Sequence, residues 1–153
     1  MAVLTTDILL QGFRRDAVFE WLGEPDNHRH ILAGAFDDVV ENGSGDFTLS
    51  FRAPALRKRS MGYRFDQKDD NHGGRRILVK TTGKRTEGNL NYSLRTMKPS
   101  KNTLVTLHLD YSPGGILGAV IDAVALREAL EGHLKAMLAN LEQAIQLGAS
   151  SSD

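Results

Sequence analysis

Cysteine is missing from all 153 residues, which excludes disulfides, thiolate nucleophiles and cysteine-ligated zinc. Net charge is missing too, because 19 lysines and arginines are matched by 19 aspartates and glutamates. No global field draws the chain to nucleic acid, so any charge effect has to be local and any contact with an anionic membrane transient. Nor does any apolar run reach the roughly 20 residues that span a bilayer. The best candidate, near the end of the chain, is broken by Asp122, Arg127 and Glu128. Met1 to Gln11 lacks the basic start, apolar stretch and small-residue cleavage site of a signal peptide, so the expected location is cytoplasmic. There is no internal repeat, low-complexity tract or linker. One domain is expected over residues 1–147, with 148–153 as a small, polar, disordered tail.

Alternation of apolar and polar residues is what the sequence does have, and it fills the middle of the chain. Phe47, Leu49 and Phe51 alternate with Thr48, Ser50 and Arg52. Met61, Tyr63 and Phe65 likewise oppose Gly62, Arg64 and Asp66. The same period runs through Ile77, Val79 and Thr81, through Leu90, Tyr92 and Leu94, and through Val105, Leu107, Leu109 and Tyr111. A period of two puts each apolar set on one face of a strand, so the expected sheet is covered on one side and wet on the other. Turn signals separate the runs at Asn42 to Gly45, the Pro54 loop, Asp69 to Gly74, Gly83 to Gly88 and Lys98 to Asn102, as in an antiparallel meander.

The period changes at both ends of this region. Val3 to Leu10 reads as a first strand. Asp16 then opens a short helix carrying Ala17, Val18, Phe19, Trp21 and Leu22, which Gly23 and Pro25 end; a second short helical turn is expected over His28 to Leu32. After Ser112-Pro113-Gly114-Gly115 a long amphipathic helix is expected from Ile116 to Leu147. Leu117, Val120, Ile121, Val124, Leu130, Leu134, Met137, Leu138, Leu141 and Ile145 form its apolar stripe.

Strand, two short helices, six strands and a long helix is an order that resembles the START-like superfamily, which includes polyketide cyclases, Bet v 1 allergens and lipid-transfer domains. Two local patterns carry the same resemblance, Ala17-Val18-Phe19-Glu20-Trp21-Leu22 after the first strand and Gly114-Gly115-Ile116-Leu117-Gly118 opening the last helix. The resemblance implies an α+β helix-grip fold, a curved antiparallel sheet of about seven strands wrapped around the C-terminal helix. It also implies a cavity between sheet and helix that binds or transports a hydrophobic small molecule or lipid. Its expected lining is Phe47, Leu49, Phe51, Met61, Tyr63, Phe65, Val79, Tyr92, Leu94, Leu107, Leu109, Leu117, Val120, Ile121 and Val124. Buried tyrosine hydroxyls on such a face need hydrogen-bond partners. Hairpin parity places the Pro54 and Gly83 loops at one end, so Arg57, Arg59 and Arg85, with Lys58 and Lys84, are expected to form a basic rim around the mouth. Ordinary solvated charges at hairpin tips explain the same residues equally well.

Catalytic signatures are scarce. Asp26, His28 and His30 invite a metal reading, but residues two apart diverge on a helix, and no metal or other cofactor is expected. The histidines read as surface residues, with His133 on the polar side of the long helix. Gly114-Gly115-x-x-Gly118 lacks the lysine and hydroxyl of a P-loop, and no Ser-His-Asp arrangement is present. Two alternatives to a binding protein stay open on this scaffold. One is a cyclase or dehydratase in which Tyr63, Tyr92 or Arg64 polarises a carbonyl, although Arg64 is expected to point outward. The other is a protein-binding module resembling chaperone ATPase activators.

Overall fold

The computed structural model describes residues 2–52, 58–71, 74–98, 101–112 and 120–151, with only the backbone of 120–122 and 149–151. Seven strands form one antiparallel sheet: β1 (Ala2–Leu10), β2 (Asp38–Gly43), β3 (Asp46–Arg52), β4 (Lys58–Asp69), β5 (Arg75–Thr82), β6 (Gly88–Met97) and β7 (Asn102–Tyr111). Strands β2 to β7 are neighbours in sequence order, and β1 closes the far edge against β7. Between β1 and β2 lie α1 (Arg15–Leu22), a 3-10 turn (Pro25–Asn27) and α2 (His28–Leu32); α3 (Val120–Ser151) follows the sheet. This is the curved sheet, paired short helices and long C-terminal helix of a helix-grip fold.

Register keeps the alternating pattern intact across the sheet. Phe47 lies beside Tyr63, Leu49 beside Met61, Val79 beside Leu90, and Tyr92 beside Leu107. Phe47, Leu49, Phe51, Met61, Tyr63, Ile77, Val79, Leu90, Tyr92, Val105, Leu107 and Leu109 are all closed off from solvent on the same inner face. A bulge between Phe65 and Gln67 interrupts the register of β4 on β5. Beyond it Asp69 is buried, ion-paired to Arg76. At the start of β6, a Cβ on Gly88 would come within 1.9 Å of the Asp110 carbonyl oxygen, so that strand can approach β7 only with glycine there.

The two ends of the sheet differ. Leu10 pairs with Thr103, so β1 finishes beside the β6–β7 turn and the chain enters α1 at that end. Gly12 N–H donates to Asn102 Oδ1 at 3.0 Å and Thr103 Oγ1 donates to the Phe13 carbonyl at 2.8 Å, fixing the exit. Helix α1 then packs across β5 to β7 by burying Val18, Phe19 and Leu22. The end of β3, the start of β4, the β5–β6 turn and the end of β7 lie at the opposite end.

Helix α3 buries Leu126, Leu130, Leu134, Met137, Leu138, Leu141 and Ile145. Its backbone lies nearest β1 and α2, and Asn140 Nδ2 donates to the Ile31 and Ala33 carbonyls, each at 2.9 Å. Two features differ from the sequence expectation. Val124 is 52% exposed while Leu126 is buried, since two residues along a helix rotate a side chain by roughly 200° and the true stripe passes through Leu126. The helix also continues through Ser151, past the expected end at Leu147, and Gly148 lies beside the Trp21 indole.

Candidate functional site

Three polar side chains meet inside the apolar face. Tyr63 and Tyr92 project inward from β4 and β6, and their hydroxyl oxygens are 2.6 Å apart. His28, first residue of α2, lies 2.6 Å from the Tyr63 hydroxyl through Nδ1 and 2.7 Å from the Leu22 carbonyl through Nε2. A carbonyl can only accept, so Nε2 carries the proton and donates to Leu22. Nδ1 then accepts from Tyr63, and the Tyr63 oxygen accepts from Tyr92. The relay satisfies each polar group it contains without water. Phe65 and Tyr92 present edges to the His28 ring at 5.3 and 5.7 Å between centroids, and Phe47 packs on Tyr63 at 6.0 Å.

This environment sets the protonation states. Burial lowers the His28 pKa from 6.5 to about 4, against the smaller upward pull of its bond to Leu22, so the ring is neutral at pH 7. Burial, reinforced by the adjacent Tyr92, holds the Tyr63 hydroxyl well above the ordinary phenol value, and burial also raises Tyr92. The relay is therefore a neutral, fully protonated chain.

His28 was expected at the surface, and the structure corrects that: it is fully buried. The signal was present in the sequence, because His28, Ile31 and Leu32 are spaced three and four apart and share the buried face of α2. His30 is exposed on the opposite side, so the two histidines do not converge on a metal. His133 was placed on the polar side of the last helix. It is half-buried, stacked on Phe36 at 4.6 Å and 16°, and its Nδ1 donates to the Ala35 carbonyl at 2.7 Å. Phe36 itself, buried and edge-on to Phe51 at 6.2 Å, was not singled out by the alternation because it lies outside any strand.

Among the expected lining residues, Phe47, Leu49, Phe51, Met61, Tyr63, Val79, Tyr92, Leu94, Leu107 and Leu109 share the inner face, with Phe65 partly buried at its margin. Leu117 lies outside the described residues, as do the side chains of Val120 and Ile121. Val124 is on the outer side of α3. The end of the sheet opposite α1 holds a hollow of about 290 Å³ lined by Lys58, Arg59, Ser60, Lys84 and Arg85. Arg59 pairs with Phe51 across β3 and β4 and has the parity of Met61 and Tyr63, so it stands at the end of the apolar face. Arg57, the Pro54 loop before it, His72 and the glycine-rich turn at 113–119 lie outside the described residues. A second, shallower hollow of about 690 Å³ separates α2 from the end of α3, between Trp21, His30, Asn140 and Leu147.

No family model and no curated protein sequence matches the chain. Its fold does match solved structures. Norcoclaurine synthase from Thalictrum flavum superposes with a TM-score of 0.59 at 16% identity, covering 95% of this chain and 86% of that one. The Zhui aromatase/cyclase from Streptomyces sp. R1128 gives 0.56 at 14% identity, over 95% and 94% of the two chains. The di-domain aromatase/cyclase BexL of the BE-7585A biosynthetic pathway gives 0.62 at 19% identity, with 96% of this chain matching 47% of that one. At such identities the likeness is one of architecture alone, the helix grip.

Proposed function

We propose that this protein encloses a hydrophobic small molecule between the inner face of the sheet and α3, admitting it at the end where β4 begins and the β5–β6 turn closes. The observation that carries this reading is the 290 Å³ hollow at that end, whose Arg59 shares a face with Phe51 and Met61 and so stands at the end of the apolar face. Apolar walls with a few fixed polar groups are the usual composition of a small-molecule site. The aromatase/cyclases and norcoclaurine synthase of like fold support a scaffold of this kind.

A cyclase or dehydratase reading gains one observation, the titratable His28 inside the fold. Its two nitrogens are both engaged, one donating to Leu22 and one accepting from Tyr63, which leaves no lone pair for a substrate proton. The relay suits a rigid wall better than a general base. Binding without chemistry is therefore the reading we adopt. Native mass spectrometry of the purified protein, with titration of the neutral probe N-phenyl-1-naphthylamine, tests it. A copurified small molecule or saturable one-to-one probe binding is expected; an empty protein that gives no saturable signal overturns the reading.

A further inference from the structure

The hollow between α2 and the end of α3 gathers apolar surface that the rest of the fold leaves uncovered. Leu147 lines it and is 71% exposed, the most of any large apolar side chain among the described residues. Val3, Leu9, Val40 and Val124, the others exposed, border neither hollow. Facing Leu147 is Trp21, the sole tryptophan of the chain, half-buried with its body packed on the core. A quarter of the chain is charged, yet no aspartate, glutamate, lysine or arginine lines this hollow. Its volume of about 690 Å³ falls within the roughly 300–1,000 Å³ of small-molecule sites. Apolar surface held open to water in a concave, uncharged place favours an apolar occupant.

Two asparagines give the hollow its polar chemistry. Asn140 Nδ2 donates both of its protons, to the Ile31 and Ala33 carbonyls, each at 2.9 Å. Those carbonyls can only accept, so the nitrogen faces α2 and Asn140 is left with Oδ1, an acceptor. Asn27 Nδ2 donates to the Trp21 carbonyl at 2.8 Å, which settles its amide in the same way. Neither Oδ1 accepts a hydrogen bond from a described residue. Both acceptors are held by bonds to the fold itself, so a ligand that meets them orders little else.

We propose that this hollow binds a neutral aromatic molecule carrying an N–H or O–H donor. Its ring packs on Trp21 and Leu147, and its donor meets Oδ1 of Asn140 or Asn27. An anion would shed water here without a cation to receive it, and a cation would find no carboxylate. The site is independent of the enclosure reading, since no residue of its lining belongs to the sheet.

Nuclear magnetic resonance titration of the intact protein with 2-naphthol and with 2-methoxynaphthalene tests the proposal, because the two share a ring and only the first has a donor. The Trp21 indole N–H and the Leu147 methyls report on the hollow; the Met61 and Leu107 methyls report on the inner face of the sheet. Saturable shifts at Trp21 and Leu147 are expected, with 2-naphthol binding about fivefold tighter. Ala144→Trp, at a half-buried position of the lining, should fill the hollow and abolish the Leu147 shifts. Leu147→Ser, at an exposed position that leaves the fold intact, should weaken both compounds severalfold. Equal affinities would overturn the donor recognition, and shifts undiminished in Ala144→Trp would overturn the site. Shifts at Met61 and Leu107 alone would overturn it while upholding the enclosure. Self-association that Leu147→Ser abolishes, with neither compound bound, would overturn it in favour of contact between copies of the chain.

Discussion

His28 shows how one residue links burial to behaviour in solution. Its folded pKa of about 4 lies below the unfolded value of 6.5, so the unfolded chain binds a proton over that interval and the folded one does not. Stability from the neutral ring is complete above pH 6.5 and is lost as pH falls from 6.5 through 4, by roughly 3 kcal/mol in total. Asp69 behaves separately. The Asn71 backbone N–H and the Arg76 guanidinium hold its carboxyl below the ordinary 3.8, so its contribution fades at lower pH. Urea unfolding of wild type and His28→Phe between pH 7 and pH 4 should therefore give a variant that is less stable at pH 7 yet has a shallower slope. Parallel slopes would show that His28 is not buried neutral. The Phe variant is weaker at pH 7 because it strands the Leu22 carbonyl and the Tyr63 hydroxyl in the interior.

At the scale of elements, periodicity located β3 to β7 and the helices but set the phase of α3 incorrectly at its start; β2, exposed along most of its length, carries no alternation to read. Val124 and Leu126 are both aliphatic and both fit a local three-and-four pattern, so the sequence alone did not separate them. Contact with the rest of the fold did, since Leu126 is 1% exposed and Val124 52%. Leu141→Ala should cost about 3 kcal/mol, because it removes a fully buried side chain that cannot be replaced by water. Val124→Ser should stay within about 0.5 kcal/mol. Chemical denaturation of the two variants checks the phase directly, and comparable losses would contradict it. The inner strand faces were legible for a different reason: a period of two holds over five strands, and a shift of one residue would have exposed an entire face.

At the scale of the whole molecule, one hydrophobic core among the described residues joins β1, both short helices, every strand from β3 to β7, and α3. Trp21, in α1, packs against that core at one end of the sheet, so its fluorescence reports a region far from the basic hollow. Urea transitions followed by Trp21 fluorescence and by far-ultraviolet circular dichroism should coincide, as for a single cooperative unit; separated midpoints would show that the short helices unfold apart from the sheet. Alternation and helical spacing, which are local and repeat over many residues, let the sequence by itself determine the element order and the covered face, and the resemblance carried by that order implied the helix grip. Hairpin parity also brings Arg59 and Arg85 to one end. Only tertiary structure decided that His28 turns inward to complete a relay with Tyr63 and Tyr92, and that the basic residues border a hollow. Those relations join residues tens of positions apart, and their distances depend on sheet curvature and helix placement, which no local pattern encodes.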